Sequence, residues 1–210
     1  TVEVGSMGEL KEWRSDHPNN YFAPRFQVHM WFDEIEHTII DDILDWVKEN
    51  EDVYADDKWE HYNVFSWKYP TAQRLKEIIK RSYEQLCDKL GIYVEDKLWI
   101  RGWVYPMKKG MKLERHFHAI HENSFLSGNI NLTDNDTTTD FHIPYLGLAC
   151  VQNSKGRMVM FPSSLPHSVE KLEDDERYSL AYDIITEDGI NYFKEHNTNK
   201  DDPLNLVVEL

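Results

Sequence analysis

Apolar positions in the first half of the chain recur at helical spacing. Between 35 and 47 they are Ile35, Ile39, Ile43, Trp46 and Val47; between 72 and 90 they are Leu75, Ile78, Ile79, Leu86, Cys87 and Leu90. Intervals of three, four and seven residues gather side chains on one side of a 3.6-residue helix. Both segments are therefore predicted as amphipathic helices that pack one face against something larger. Gly91 stands where the second helix should stop, at the position that takes a left-handed backbone. Between 59 and 69 the aromatics Trp59, Tyr62, Phe65, Trp67 and Tyr69 alternate loosely, which suits a strand or an extended loop.

After Val94 the period shortens to two. The segment 98–105 alternates tryptophans with other residues, and 105–110 reads as a turn. Strand-like segments follow at 112–118, 125–132, 138–143, 146–151, 157–161, 168–172 and 178–186. Turn signals such as Asn153-Ser154-Lys155-Gly156 and the acidic run 173–176 separate them. Short strands about ten residues apart argue a sandwich or barrel. With helices placed only before the strands, one outer face of that β structure would be covered. The expected class is α+β in a single domain: a helical part at 9–95, an all-β core at 96–186 and an extension at 187–210. In the extension a polar turn at 197–202 leads to a last apolar run at 204–210.

Composition agrees with a packed core: 40% of residues are hydrophobic and 13% aromatic, with seven tryptophans. The formal charge of −15 repels phosphate backbones, so no nucleic-acid partner is expected. The nearest thing to a basic patch, Lys108, Lys109, Lys112 and Arg115, is small. No run of 18 apolar residues is present, so no membrane partner is expected. The absence of a signal-like start points to a cytoplasmic location. Cys87 on the helix stripe and Cys150 in a strand both read as buried thiols, which suits a reducing compartment. Residues 1–8 read as an appended leader and carry no weight in the fold.

Five of the ten histidines lie between 116 and 167. His116 and His118 are two apart, so on one strand they point to the same face. Imidazole is a common ligand for first-row metals. Two imidazoles from one strand and a third from a distant strand, such as His167, occupy one face of an octahedron and leave three positions open. An isolated His-x-His is equally a solvent-facing pair on a strand edge. His121 has the opposite parity and needs a turn after Ala119 to join the others. Glu114, Glu122 and Asp140 are the acidic residues placed to complete a ligand set. Trp99 and Trp103 read as core, and His142 as a strand residue facing solvent or making a core hydrogen bond.

The order of pieces carries more information than any one of them. Tyr105 and Gly110 precede His116-Phe117-His118; Leu126-Ser127-Gly128 follows; then comes the run Phe161-Pro162-Ser163-Ser164-Leu165-Pro166-His167-Ser168-Val169, with Arg177 ten residues beyond His167. Over 98–186 this order resembles the Fe(II)/2-oxoglutarate-dependent oxygenases, and more narrowly the prolyl-hydroxylase-like and phage-type members. The resemblance implies a double-stranded β-helix (jelly-roll) core covered on one face by the N-terminal helices, with Fe(II), 2-oxoglutarate and O2 as cofactor and cosubstrates. It implies His116, His118 and His167 on the metal, and Arg177 paired with the far carboxylate of 2-oxoglutarate. Ser179, which shares the face of Arg177, and Asn131 are the neutral hydrogen-bonding candidates, with Asn129 and Tyr178 beside them. An arginine in an apolar interior is expensive without an anion, which makes Arg177 a marker.

The chain departs from that pattern at His118, where the family carries a carboxylate. Three neutral imidazoles leave a divalent site at +2. The connection 119–123 is also long, and aligning His121 instead would repair it at the expense of the Gly110 spacing; that spacing favours His116. The leading expectation is a hydroxylase acting on a C–H bond of a peptide or protein, proline being the default, or of a small molecule. Two other classes stand beside it: a cupin-like three-histidine dioxygenase or isomerase without 2-oxoglutarate, and a non-catalytic metal-binding β-barrel. Arg177 argues against the first of these.

Overall fold

The computed structural model describes residues 8–15, 22, 25–51, 61–93, 95, 97–118, 125–173, 176–197 and 199–210. Two strands open the chain, β1 (Glu9–Arg14) and β2 (Gln27–Glu34), followed by helices α1 (His37–Glu49) and α2 (Pro70–Leu90). Eight strands come next: β3 (Leu98–Lys108), β4 (Leu113–His116), β5 (Leu126–Asn131), β6 (Thr138–Ile143), β7 (Gly147–Gln152), β8 (Arg157–Pro162), β9 (His167–Val169) and β10 (Glu176–Thr186). Helix α3 (Glu187–His196) and the short β11 (Val208–Glu209) close it. No helix among the described residues is long and apolar enough to cross a membrane.

Local chemistry accounts for the helix ends. Pro70 opens α2, where its missing N–H is an orphan in any case, and Gly91 closes it at φ 63°. Thr186 caps α3, its hydroxyl accepting from the Gly189 amide at 3.1 Å, with Glu187 and Asp188 in the first turn.

The strands form a seven-stranded sheet, β1-β2-β8-β5-β10-β3-β11, and a four-stranded sheet, β4-β9-β6-β7, with every pairing antiparallel. Alternation sorts the large sheet into two faces. Ile100 and Val104 of β3, Ile130 of β5, Met158 and Met160 of β8, and Leu180, Tyr182 and Ile184 of β10 share one core with Ile39, Ile40, Ile43, Leu75 and Ile79 of the helices. The opposite parity turns the other way: Val159 and Phe161 of β8 join Phe141, Ile143 and Val151 of the small sheet in a second core. The odd-numbered residues of β10, from Arg177 to Asp183, also face away from the helices and line a cavity.

Close packing on the helix side has no room for a side chain at Gly128, where a Cβ would stand 2.0 Å from Cζ of the buried Tyr182. Gly128→Ala is expected to cost about 1–3 kcal/mol through overpacking. Urea unfolding checks this as a lowered midpoint with an unchanged slope.

Several expectations are corrected here. The first half is not wholly helical, because β1 and β2 precede the helices and β2 joins the large sheet at β8. Helices do not lie only before the strands, since α3 follows β10. The run 105–110 is not a turn until its end: β3 continues to Lys108, and Gly110 at φ 86° makes the reversal. Pro106 is tolerated because β11 pairs with β3 near Trp99 and Ile100, and among the described residues no strand pairs with β3 at Pro106 on that side. Around 64–66 the aromatic stretch forms a 3₁₀ turn; Trp59 lies outside the described residues. Cys87 is buried but Cys150 is exposed. Val151 and Ala149 face the second core, so Cys150, between them on edge strand β7, points outward.

Candidate metal centre

Strand pairing delivers the first two imidazoles. His116, the last residue of β4, stands directly across from His167, the first of β9, and their ring centroids are 4.3 Å apart. His118 lies past the end of β4, yet its ring sits 5.4 Å from that of His116 and 5.1 Å from that of His167. One ring nitrogen from each of the three falls within 4.8 Å of the other two.

The hydrogen bonds fix which nitrogen that is. Nδ1 of His116 meets the Glu114 carbonyl at 2.8 Å, Nδ1 of His167 the Leu165 carbonyl at 3.2 Å, and Nδ1 of His118 the Asp183 carboxylate at 2.8 Å. All three partners are acceptors, so each Nδ1 donates, which leaves Nε2 of each ring as the nitrogen that can meet a metal. Metal-ligating histidines take this arrangement, one nitrogen held from outside and the other turned inward.

Burial and the two neighbouring imidazoles push His167 down to about 3, and burial also lowers His116. Both are therefore neutral at pH 7, as ligands must be. An unfolded histidine titrates near 6.5, so between about 6.5 and 3 the unfolded chain binds a proton at His167 that the folded one refuses. The contribution is fully present above pH 6.5 and is lost on acidification. Metal-free wild type is expected to lose urea resistance between pH 6.5 and 4 more steeply than His167→Gln, measured by the unfolding midpoint at each pH.

Glu114 and Asp140 do not join the cluster. The Glu114 side chain is exposed and paired with Lys112 at 2.5 Å, and Asp140 accepts from the Thr138 hydroxyl at 2.6 Å. His121 and Glu122 lie outside the described residues. Among the described residues, Asp183 is the carboxylate that reaches a histidine of the set, and it is not among the candidates drawn from the sequence. Its signal was available: it shares strand parity with Arg177 and Ser179, six residues past Arg177.

Arg177 is 1% exposed and no carboxylate pairs with it among the described residues. Its Nη2 donates to Asn131 Oδ1 at a long 3.3 Å, Nη1 meets only the Met107 sulfur at 3.4 Å, and Nε has no partner. Burial lowers its pKa to about 10, which leaves it protonated at neutral pH. A buried guanidinium without an anion costs several kcal/mol. Ser179 lies on the same face with its hydroxyl 3.5 Å from the Tyr105 carbonyl, and the Asn129 side-chain oxygen is buried without a donor.

One cavity of about 490 Å³ holds all of these: the three histidines, Arg177, Ser179, Asn129 and Asp183, walled by Trp103, Leu113, Phe161, Val169 and Ala181. Trp103, expected as core, is buried but walls this cavity, 5.5 Å from the His118 ring with Arg101 stacked over it. Trp99 packs instead with Ile185, Ile190 and Phe193. Asn131 braces Arg177 from behind the cavity wall, and Tyr178 belongs to the helix-side core, so it is removed from the hydrogen-bonding candidates. His142 meets the Ser168 hydroxyl at 3.0 Å.

No protein-family model matches the sequence, and comparison with curated proteins finds no relative. Solved structures do match. A Pseudomonas putida prolyl-4-hydroxylase superposes with a TM-score of 0.62 at 12% identity, over 75% of this chain and 92% of that one. A prolyl hydroxylase in complex with a hypoxia-inducible-factor peptide fragment, from Trichoplax adhaerens, gives 0.59 at 13%, over 75% and 84%. HygX from Streptomyces hygroscopicus, solved with nickel and 2-oxoglutarate bound, gives 0.55 at 11%, over 75% and 82%. The fold of this chain is that of the 2-oxoglutarate/Fe(II) oxygenase structures, as its motif order implies.

Proposed function

We propose that the chain is an Fe(II)- and 2-oxoglutarate-dependent dioxygenase, a single domain whose two sheets form the double-stranded β-helix core, hydroxylating a C–H bond of a peptide or protein. The observation that carries this reading is Arg177: a buried, protonated guanidinium lacking an anionic partner, in the same cavity as three inward-facing imidazole nitrogens. A neutral substrate explains the histidines but leaves that charge uncompensated. A dicarboxylate answers both, one end on the guanidinium and the other toward the metal.

His116, His118 and His167 would hold the metal, three neutral nitrogen donors suited to a first-row divalent ion and leaving positions open. When bound, that metal supplies the activation of O2 coupled to oxidative decarboxylation of 2-oxoglutarate to succinate and CO2. Arg177 offers two parallel N–H donors to the far carboxylate, a geometry lysine does not supply. Asn131 holds the guanidinium in place, and Ser179 and Asn129 offer neutral hydrogen bonds along the cosubstrate. Trp103, Phe161, Val169 and Ala181 exclude water around the reacting carbon. A peptide substrate is favoured by the motif resemblance, by the likeness in fold to two prolyl hydroxylases, and by the exposed Phe117 at the cavity's edge.

Protein purified without oxygen and loaded with Fe(II) is expected to bind one equivalent. On admission of O2 with substrate it should convert 2-oxoglutarate to succinate, dependent on His167 and Arg177. Tight zinc with no response to 2-oxoglutarate would sink the reading, and turnover without 2-oxoglutarate would favour the three-histidine dioxygenase instead.

A further inference from the structure

We infer that Asp183 is the positioning residue of the metal site, holding His118 and supplying through it the negative charge that the three neutral ligands lack. The inference rests on the three-histidine reading above.

His116 and His167 are held by the β4–β9 pairing, but His118 lies beyond the last residue of β4 and has no strand to fix it. A ring of hydrogen bonds does so instead. The His118 amide donates to the Ser163 carbonyl at 2.9 Å, and Nδ1 of its imidazole donates to Asp183 Oδ1 at 2.8 Å. The Ser127 hydroxyl donates to the same Oδ1 at 2.6 Å and lies 2.9 Å from the Ser163 hydroxyl, which closes the ring. Antiparallel pairing sets Asp183 directly across from Ser127, so the sheet itself places the carboxylate. The side chains of His118 and Asp183 are 9% and 13% exposed, so little water screens the contact.

The three outer partners are chemically unequal. His116 and His167 donate to neutral carbonyls, and His118 alone donates to a carboxylate. A divalent ion on three imidazoles would keep its whole +2 charge. A carboxylate hydrogen-bonded to the far side of one ligand polarises that imidazole toward the metal and lowers the net charge to +1 without occupying a coordination position.

Asp183→Asn separates charge from shape, since the amide oxygen can still accept from Nδ1. Co(II) is titrated into the metal-free full chain, with the dissociation constant read by chelator competition and the ligand field by visible absorption. Asp183→Asn is expected to bind Co(II) about 10–100-fold more weakly and to shift the visible bands, with the melting temperature of the metal-free protein unchanged. Ser127→Ala, which frees the carboxylate without removing it, is expected to weaken binding by a smaller factor, and it decides the matter if Asp183→Asn does not fold. A dissociation constant and spectrum for both variants like those of wild type would overturn the role of Asp183 while leaving the site intact. Wild type that fails to bind Co(II), or His167→Ala that binds it as well as wild type, would overturn the three-histidine reading and this inference with it.

Discussion

Arg177→Met is expected to remove most of the response of the protein to 2-oxoglutarate without weakening the metal-free fold. The wild-type guanidinium is buried with one long hydrogen bond to Asn131, a sulfur contact and an orphaned Nε, so most of its desolvation is uncompensated until an anion arrives. Replacing a buried charge by an apolar side chain of similar volume is often neutral or stabilising, by about 1–4 kcal/mol. The metal-free variant should therefore melt at or above the wild-type temperature. Wild type loaded with metal gains about 2.7 kcal/mol at a 2-oxoglutarate concentration 100 times the dissociation constant. For a domain of this size each kcal/mol is worth about 2–4 °C, and the variant should keep at most about a third of that shift. Losing one partner of a buried charge pair costs about 2–5 kcal/mol, so kcat/KM for 2-oxoglutarate should fall by roughly 30- to 4,000-fold. Thermal melts with and without 2-oxoglutarate, followed by succinate release, check both arms. A full thermal shift in the variant would remove Arg177 from the anion site.

His167→Ala should cost more at the metal than any change outside the ligand set. Loss of an outer-shell partner lowers metal affinity by about 10–100-fold, and loss of a ligand itself should exceed that upper figure. The ring is also structural, packed 4.9 Å from Phe161 and 5.7 Å from Phe141, so truncation leaves a hole. His167→Gln is the companion that keeps the volume, and metal content after dialysis should be near zero in both. Glu114→Gln and Asp140→Asn provide the contrast: one carboxylate faces solvent beside Lys112 and the other is turned to Thr138, so both variants should keep wild-type metal content. Metal retained by His167→Ala and lost by Glu114→Gln would reverse the assignment.

Much of this architecture is written in local patterns. Ile39, Ile43 and Val47 recur at helical spacing and are buried, and Gly91 ends α2 in the left-handed conformation that its position demanded. The strand at 138–143 runs over the residues that alternation marked, and the segment at 157–161 is extended only by Pro162. Strand β1 was invisible because Glu-Leu-Lys-Glu-Trp-Arg carries charges at four of its six positions; its extended form comes from pairing with β2 at the sheet edge. Helix α3 is short and polar, and its Thr186 cap with two acidic residues after it was a legible signal left unread.

By itself the sequence determined the two periodicities, hence helices and then strands, and it supplied the order of histidines and arginine that points to one end of a β core. Those are local quantities, set by side-chain direction along a few residues of backbone. Only the tertiary structure decided which carboxylate serves the histidines. His118 and Asp183 are 65 residues apart, and strand parity, which puts Asp183 on the face of Arg177 and Ser179, does not bring it to His118 until β10 is laid against β5 and β3. Only the tertiary structure, too, left Arg177 buried without an anion. Whether a charge is compensated depends on everything that surrounds it, and the chain alone does not say what will lie there.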